Sequence, residues 1–385
     1  MYITLLGRQP AIGVAELETL YGAPTVAWFS DISATIDTPD FDFNRLGGSQ
    51  KAGRVVATLQ GNWRQVSMQI VKAYSAEWAE REGKITLGIS AYGFPDSYRD
   101  IQKTGIILKK KLREHNVSLR LIPNTEPALN TATSHHNKLG LSDNHVELLV
   151  VRAGNGRVIV AESVGAQNIT ALAARDQARP KTDAFVGMLP PKLACMMVNM
   201  TGLTSGRVLD PFCGTGVVLQ EAALLGFTTY GTDLSEKMVQ YSHANMSWLH
   251  QSHHHISLPT LAVADAMTYT WEAPINAVVC ETYLGQPFSA PPSSTKLQEV
   301  RGNCNHIISS FLTNLAPQLE SGTPLCIAVP AWRANDDSFT HLPLIDKLDT
   351  LGYKRRELKN VRADQLLYYR EGQVVARELL LLEKA

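Results

Sequence analysis

Two kinds of hydrophobic pattern divide the chain near residue 170. Before that point, short apolar runs bounded by Gly and Asp predict strands at 1–6, 25–30, 54–59, 84–90, 118–123, 146–153 and 157–164. Longer segments with apolar residues at helical spacing lie at 11–22, 63–80 and 96–115. In the last of these we expect Ile101, Ile106, Leu108 and Leu112 on the buried side. This part of the chain is predicted to be α+β.

After residue 170 strands and helices alternate. The predicted strands are nearly continuous apolar runs at 206–210, 228–233, 261–265, 275–281 and 323–330. Helices are predicted between them at 216–226, 235–250 and 296–320. This alternation predicts an α/β fold with a doubly wound, mostly parallel sheet. Residues 365–384 are typical of two strands joined at Glu371 and Gly372, which would close the sheet as an antiparallel hairpin.

The change of pattern predicts three regions. We expect an N-terminal α+β subdomain at 1–60, a smaller α+β module at 61–170 and the α/β domain at 171–385. The start of the last region, 171–192, combines prolines with mixed charge. It is therefore predicted to be a linker or a lip over a site, with Asp183 and Pro190 lining it.

Composition narrows the class of protein. The 385 residues are 44% apolar and 19% charged, which is typical of a globular chain. No apolar run approaches the roughly 18 residues that span a bilayer, and the N-terminus lacks the features of a signal peptide. The five cysteines form no CxxC pair, and the histidines at 250–255 have no acidic or cysteine partner at ligand spacing. We expect a cytoplasmic monomer with reduced thiols, no membrane partner and no metal site.

The formal net charge is zero, but one predicted helix is strongly basic. Its basic residues are Arg99, Lys103, Lys109, Lys110, Lys111 and Arg113. Such a cluster can follow a phosphate backbone, which makes these residues candidates for RNA binding. A solvated helix face explains the same pattern, and charge alone does not separate the two interpretations.

A glycine-rich turn follows the first strand of the α/β domain. Asp210 ends this strand, and Gly214 and Gly216 bracket the turn that leads into the next helix. In open parallel sheets, ligands bind outside the carboxyl ends of the strands. The turn is neither GxGxxG nor a Walker A loop, because no GK[ST] follows. It fits a cofactor that has an amino-acid end and a ribose.

The next three strands also end in acidic residues. Asp233 is placed to bind the two hydroxyls of a ribose, and Asp265 with Ala266 suits an adenine. Glu281 ends the fourth strand. A single strand-end carboxylate is more often a helix cap, but four at successive strand ends indicate a shared site.

Residues 207–245, RVLDPFCGTGVVLQEAALLGFTTYGTDLSEKMVQYSHAN, resemble the cofactor motif of tRNA guanosine N2-methyltransferases that modify position 10. Residues 179–199 resemble the helix that closes the cofactor pocket of that family. The resemblance implies a Rossmann-like domain that binds S-adenosyl-L-methionine, preceded by a THUMP-like RNA-binding domain at 61–170. The implied cofactor-binding residues are Asp210, Pro211, Phe212, Cys213, Gly214, Gly216, Asp233, Leu234, Asp265, Ala266 and Glu281.

The acceptor motif departs from the family pattern of (Asp/Asn/Ser)-Pro-Pro-(Tyr/Phe). Here the fourth strand ends in Glu281, Thr282, Tyr283, Leu284 and Gly285. A glutamate still accepts hydrogen bonds from an amine, although its longer side chain moves the acceptor outward. We expect Glu281 to hold the target amine with Tyr283 stacking on the base, and Thr282 is the third catalytic candidate.

The resemblance implies an enzyme that methylates the N2 amine of a tRNA guanosine. Its implied partners are tRNA and a small activating subunit, which eukaryotic relatives use and archaeal relatives do not. Two alternatives stay open. One is a DNA adenine N6-methyltransferase, which would share the cofactor motif. The other is a non-catalytic RNA-binding protein that retains the fold.

Overall fold

Residues 1–183, 188–334 and 338–385 are described by the computed structural model. The contacts between residues divide the chain into two units. Unit 1 contains Met1–Pro10, Pro24–Arg45 and Ser49–Ala171. Unit 2 contains Ala11–Ala23, Leu46–Gly48 and Leu172–Ala385. Residues 184–187, within the predicted lip, lie outside the described residues.

Unit 1 is built on one mixed sheet. Its strands are β1 Tyr2–Leu6, β2 Val26–Ser30, β3 Ser33–Ile36, β4 Ser49–Gln60, β5 Lys84–Tyr92, β6 Ser118–Leu121, β7 His145–Arg152 and β8 Arg157–Ala166. Their order is β2-β3-β1-β4-β8-β7-β5-β6. Because β4 pairs with β8, the boundary predicted at residue 60 falls within a continuous sheet. The separate subdomain at 1–60 and the THUMP-like identity of residues 61–170 stay predictions.

The helices that accompany this sheet are α2 Trp63–Glu77, α3 Tyr98–Glu114 and α4 Thr131–His136, and α5 Ile169–Ala173 spans the boundary between the two units. Ser97 is the N-cap of α3, and its side chain accepts a hydrogen bond from the backbone N–H of Asp100. The six basic candidates, Arg99, Lys103, Lys109, Lys110, Lys111 and Arg113, are all exposed. Their role in RNA binding stays a prediction.

One residue of α3 does not lie where the sequence predicted. Ile101, Leu108 and Leu112 are buried, but Ile106 is 55% exposed. At 100° per residue, Ile106 lies about 140° around the helix from Ile101, which places it on the outer face. The adjacent Ile107 is also exposed. The outer face of α3 therefore combines apolar side chains with the basic ones.

Unit 2 is built on a second sheet. Its strands are β9 Arg207–Asp210, β10 Thr228–Asp233, β11 Thr260–Val263, β12 Ala277–Glu281, β13 Pro324–Arg333, β14 Phe339–Thr340, β15 Tyr353–Arg355, β16 Leu367–Tyr368 and β17 Val375–Lys384. The main order is β11-β10-β9-β12-β13-β17-β15. The first five are parallel, and β17 is antiparallel to β13. The chain runs outward from β9 to β11 and then returns to β12, so the order reverses between β9 and β12.

The helices that cover this sheet contribute to separate hydrophobic clusters, as a doubly wound fold requires. They are α6 Pro191–Asn199, α7 Val217–Leu224, α8 Glu236–Ser252 and α9 Ser294–Leu315. α7 and α8 share one cluster, which includes Leu219 and Met246. α9 contributes Ile308 and Phe311 to a larger cluster with β9, β12 and β13. The predicted alternation of strands and helices is therefore confirmed.

An N-terminal helix belongs to unit 2, which the sequence pattern did not indicate. This helix is α1, Pro10–Tyr21, and all but its first residue falls in that unit. Its buried Glu16 accepts hydrogen bonds of 2.8 Å from the backbone N–H groups of Gly47 and Gly48. Asn199 of α6 donates to the same carboxylate over 2.7 Å. These contacts explain why residues 11–23 and 46–48 join the α/β unit.

The predicted C-terminal hairpin is present. β16 pairs antiparallel with β17, with Leu367 opposite Glu378. Gly372 in the turn has a φ of +78°, a value that glycine adopts without strain. β17 continues beyond the hairpin and lies between β13 and β15. Among the described helices none is both long and apolar enough to cross a bilayer.

Candidate cofactor and acceptor site

The acidic residues singled out in the sequence lie along one edge of the sheet of unit 2. Asp210, Asp233 and Glu281 are the last residues of β9, β10 and β12, and Asp265 follows β11 by two positions. Since these four strands are parallel neighbours, their carboxyl ends meet at the same edge. The order reverses here, which is where open α/β sheets bind ligands.

The glycine turn joins β9 to α7 by backbone conformations that favour glycine. Gly214 has a φ of +50° and Gly216 a φ of +82°. A Cβ on Gly216 would lie 2.9 Å from the hydroxyl of Ser242, so a larger residue would also collide. The N–H of Gly216 donates to the carbonyl of Cys213 over 2.7 Å. The turn is therefore tight, and it lies at the carboxyl edge of the sheet.

Two buried polar side chains of α8 hold this turn. Ser242 donates to the carbonyl of Gly214 over 2.8 Å, and Asn245 donates to the carbonyl of Thr215 over 2.9 Å. Asn245 also bonds both the N–H and the carbonyl of Lys181, each over 2.9 Å. Sequence reasoning missed both α8 residues. The available signal was a pair of polar residues three positions apart on the buried face of a helix.

The lip is attached to the same helix. Asp183 forms an ion pair with Lys237 of α8, with 2.9 Å between Oδ2 and Nζ. The ammonium groups of Lys181 and Lys237 lie 5.5 Å and 5.3 Å from the ring centre of Tyr241. Pro190 is half-buried and caps α6. The lip roles predicted for Asp183 and Pro190 stay predictions, and residues 184–187 between them are outside the described part.

Asp233 lies next to exposed apolar surface. Its two carboxylate oxygens accept 2.9 Å hydrogen bonds from the backbone N–H groups of Gly214 and Ser235. Leu234 is 72% exposed, and Val263, opposite Asp233 in the β10–β11 register, is 50% exposed. A fixed carboxylate beside exposed apolar side chains fits a ribose joined to an adenine.

Asp265, just after the next strand, is also held by a backbone hydrogen bond. Its carboxylate accepts a 2.9 Å hydrogen bond from the N–H of Met267. The adjacent Ala266 is buried, and its carbonyl accepts a hydrogen bond from Asn314 of α9 over 3.1 Å. Hydrogen bonds from Met267 and Asn314 therefore hold the segment that is predicted to face an adenine.

Asp210 is the most buried of the strand-end carboxylates, with 2% of its surface exposed. It accepts a 3.1 Å hydrogen bond from the N–H of Phe212. Burial raises its pKa well above the ordinary value, the hydrogen bond from Phe212 opposes this, and the nearby charges of Asp233 and Glu281 raise it further. Burial also raises the pKa of Asp233. Both shifts follow from the burial of Asp210 and Asp233 at this edge of the sheet.

The remaining turn candidates pack the site. Pro211 is buried, and the ring of Phe212 meets Phe311 of α9 edge-on at 5.0 Å. Cys213 is buried, and burial raises the pKa of its thiol well above the usual value. A thiol held in its neutral form is a poor nucleophile, so packing explains this cysteine.

The acceptor end contains an ion pair that the sequence did not indicate. Arg377 of β17 donates through Nε to Oε1 of Glu281, and the two side chains are only 10% and 15% exposed. Burial raises the pKa of Glu281, and the charge of Arg377 and its hydrogen bond oppose this effect. Within the described ranges, no hydrogen bond engages the second oxygen, Oε2, of Glu281.

The residues after Glu281 are placed in different ways. Thr282 is buried, and both its N–H and its hydroxyl donate to the carbonyl of Ala328 over 2.9 Å, which fixes the strand end to β13. Tyr283 is 42% exposed. Gly285 has a φ of +80°, and a Cβ there would lie 2.8 Å from Val300 of α9. The catalytic roles assigned to Glu281, Thr282 and Tyr283 stay predictions.

Comparison with known proteins supports this description of unit 2. Residues 179–330 match a family model described as an RMKL-like methyltransferase domain. The chain is 31% identical over 158 residues to a tRNA (guanine(10)-N2)-dimethyltransferase of Methanothermobacter thermautotrophicus, covering 40% of this chain and 43% of that protein. It is 47% identical over 60 residues to the enzyme of the same name from Pyrococcus abyssi, covering 16% of this chain and 18% of that one.

The alignment thus spans less than half the length of these curated relatives. The match of residues 179–330 to the methyltransferase family model confirms the resemblance inferred from the sequence for that part of the chain. The crystal structure of TrmN from Thermus thermophilus matches the whole fold with a TM-score of 0.53 at 17% identity, covering 100% of this chain and 99% of that one. This likeness confirms the predicted fold class, an α/β domain preceded by an α+β region.

Proposed function

We propose that this protein is an S-adenosyl-L-methionine-dependent RNA methyltransferase that modifies the exocyclic N2 amine of a tRNA guanosine. The observation that carries the proposal is the arrangement at the carboxyl edge of unit 2. A glycine turn and three carboxylates, Asp210, Asp233 and Asp265, lie along neighbouring strands, with Glu281 beside them. The partial match to tRNA guanine-N2 methyltransferases supports the same activity.

The cofactor supplies an electrophilic methyl group when it is bound. In our proposal, the turn at Gly214 and Gly216 places the amino-acid end of the cofactor at the start of α7, where the first N–H groups of the helix favour a carboxylate. Asp233 accepts hydrogen bonds from the ribose hydroxyls. Leu234 contributes exposed apolar surface for the adenine ring.

Glu281 acts on the acceptor. Its free oxygen Oε2 accepts a hydrogen bond from the target amine and so orients the nitrogen for attack. The partly exposed ring of Tyr283 is placed to stack on the base. Thr282 keeps the strand end in register by its bonds to β13. No metal ion takes part in this scheme.

We also propose that unit 1 binds the RNA. The exposed basic residues of α3 would contact phosphates, and the exposed Ile106 and Ile107 add apolar surface on the same helix. The cellular setting of this proposal is the cytoplasm, and tRNA is the partner. A single copy of the chain contains every residue that the scheme uses, and a small activating subunit is not required by it.

Methyl transfer from labelled S-adenosyl-L-methionine tests the proposal. The purified protein is incubated with unmodified tRNA or with duplex DNA, and the digested nucleosides are analysed by mass spectrometry. We expect labelled N2-methylguanosine or N2,N2-dimethylguanosine from tRNA and no product from DNA. Labelled N6-methyladenine from DNA would favour the adenine methyltransferase instead. No transfer to either substrate together with no binding of the cofactor would favour the non-catalytic RNA-binding protein.

A further inference from the structure

We propose that the ion pair between Arg377 and Glu281 makes the acceptor site select a base with two adjacent N–H donors, as guanine has, over a base with only one. This inference rests on the proposed function and goes beyond it. It names the feature of the chain that distinguishes a guanine from an adenine. Glu281 contacts the base in this account, and Arg377 is a positioning residue that acts through it.

The geometry of the sheet brings the two residues together. Along β13, Glu281 of β12 is paired with Ala328, and Arg377 of β17 is paired with Pro330. Both side chains therefore start from opposite sides of the same short stretch in the middle of β13. The guanidinium occupies Oε1 of the glutamate and leaves Oε2 without a partner among the described residues. The pair thus fixes the direction in which the remaining acceptor points.

The charges around Glu281 make its protonation state depend on Arg377. Asp210 of β9 interacts unfavourably with the charge of Glu281, and the adjacent Cys280 is a buried neutral thiol. Arg377 of β17 is the cation that opposes burial. Without Arg377, desolvation by burial would act unopposed and would favour the protonated acid. Arg377 therefore shifts the balance of Glu281 toward the ionised form.

An ionised carboxylate only accepts hydrogen bonds. Guanine presents N1–H and N2–H side by side, and a carboxylate accepts from both, since each oxygen has two lone pairs. Adenine presents its amine beside N1. Because N1 is itself an acceptor, it would face a lone pair of the carboxylate. A base that leaves a buried polar group of the site without a hydrogen-bond partner is rejected strongly. A protonated acid or an amide, which offers one donor and one acceptor, would not reject it.

The direct test compares guanosine with 2-aminopurine, which keeps the 2-amine but lacks N1–H. Each base is placed in synthetic tRNA at the position where mass spectrometry finds methylation. We expect the wild-type protein to prefer guanosine by about 100-fold or more in kcat/KM. Glu281→Gln presents an amide, so we expect the preference to fall below about tenfold or to reverse. Equal use of both bases by the wild type would overturn the inference.

The role of Arg377 is tested by pH. In this proposal activity requires ionised Glu281. The low-pH limb of the plot of kcat/KM against pH therefore follows the pKa of that residue. Arg377→Met keeps the length of the side chain but removes its charge, and we expect the limb to move to higher pH by about one unit or more. Arg377→Lys restores a cation and should move the limb back. An unchanged limb in Arg377→Met would contradict the assigned role.

Calorimetry with S-adenosylhomocysteine separates this role from a structural one. A binding affinity of Arg377→Met within about twofold of the wild type shows an intact cofactor half. A wild-type protein that methylates no tRNA guanosine would refute the proposed function itself and this inference with it. A wild-type protein that methylates guanosine but tolerates 2-aminopurine would refute this inference alone.

Discussion

Asp210, Asp233 and Asp265 each accept a hydrogen bond from a backbone N–H two residues further along the chain. Glu281 instead accepts one from Arg377, 96 positions away. The three aspartates of the cofactor half are therefore each held by a local turn, whereas the glutamate of the acceptor half depends on a tertiary contact with the C-terminal hairpin. Local turns form wherever their sequence is kept. A long-range pair can be changed without disturbing them.

This contrast means that substitutions in the two halves should affect different measurements. Changes at Glu281 or Arg377 should alter turnover and specificity while cofactor affinity stays the same. Changes at Asp233 or in the glycine turn should alter cofactor affinity or stability first. A substitution that changed turnover and cofactor affinity equally would contradict the distinction between the two halves.

The largest effect is expected at Glu281. Glu281→Ala removes the acceptor for the target amine, and loss of one such interaction lowers kcat by about 10²–10³. Affinity for S-adenosylhomocysteine should remain within about twofold, because the turns of the cofactor half are untouched. Single-turnover methylation of tRNA measures the first quantity and calorimetry the second. Retained turnover would remove Glu281 from the acceptor site.

The next effect is expected at Asp233. Asp233→Ala removes the carboxylate proposed to bind the ribose, together with its bonds to Gly214 and Ser235. Hydrogen bonds to charged groups are worth about 1.5–3 kcal/mol, so affinity for S-adenosylhomocysteine should fall about 10- to 100-fold. The matched control is Glu236→Ala, because Glu236 is an exposed acidic residue at the start of α8. Similar losses in both variants would contradict the assignment.

A smaller effect is expected in the glycine turn. Gly216→Ala forces a side chain into a left-handed conformation, which costs about 1–2 kcal/mol, and adds a contact with Ser242. Gly226→Ala is the control, because Gly226 has a φ of +92° but no atom within 4 Å of its would-be Cβ. Urea unfolding should show a larger loss of stability at Gly216 than at Gly226. Equal losses of stability in the two variants would mean that close packing of the glycine turn contributes nothing to the cost of Gly216→Ala.

The smallest effect concerns Asp210 and depends on pH. Its pKa is raised in the folded protein, so the folded state binds more protons than the unfolded state, and stability falls as pH rises through that interval. Asp210→Asn removes the charge and can keep the bond from Phe212. We expect it to gain stability on the order of 1 kcal/mol near neutral pH, and this gain should disappear toward pH ~4. A gain that did not change with pH would disprove the proposed cause.

The sequence predicted the cofactor half because its determinants are local. A strand, an acidic residue, a glycine turn and a helix follow one another within about one βα unit, so residue order alone places Asp210 and Gly216. The basic face of α3 and the alternation of strands and helices were predictable for the same reason. Ile106 was misplaced because apolar character was given more weight than its angular position on the helix.

The remaining features depend on contacts between distant parts of the chain. Arg377 lies in the last strand, and nothing in its neighbourhood indicates that it pairs with Glu281. Glu16 of α1 is likewise bound to Asn199 of α6, 183 positions away, so the assignment of α1 to unit 2 could not be predicted. Ser242 and Asn245 lie on a buried helix face, where a sequence pattern does not show which backbone groups they bond.

Calorimetric titration with S-adenosylhomocysteine of the wild type, Glu281→Ala and Asp233→Ala tests the division of the site most directly. The account predicts that the wild type binds, that Glu281→Ala binds with the same affinity, and that Asp233→Ala binds at least about tenfold more weakly. No binding by the wild type, or an equal loss in both variants, would contradict it.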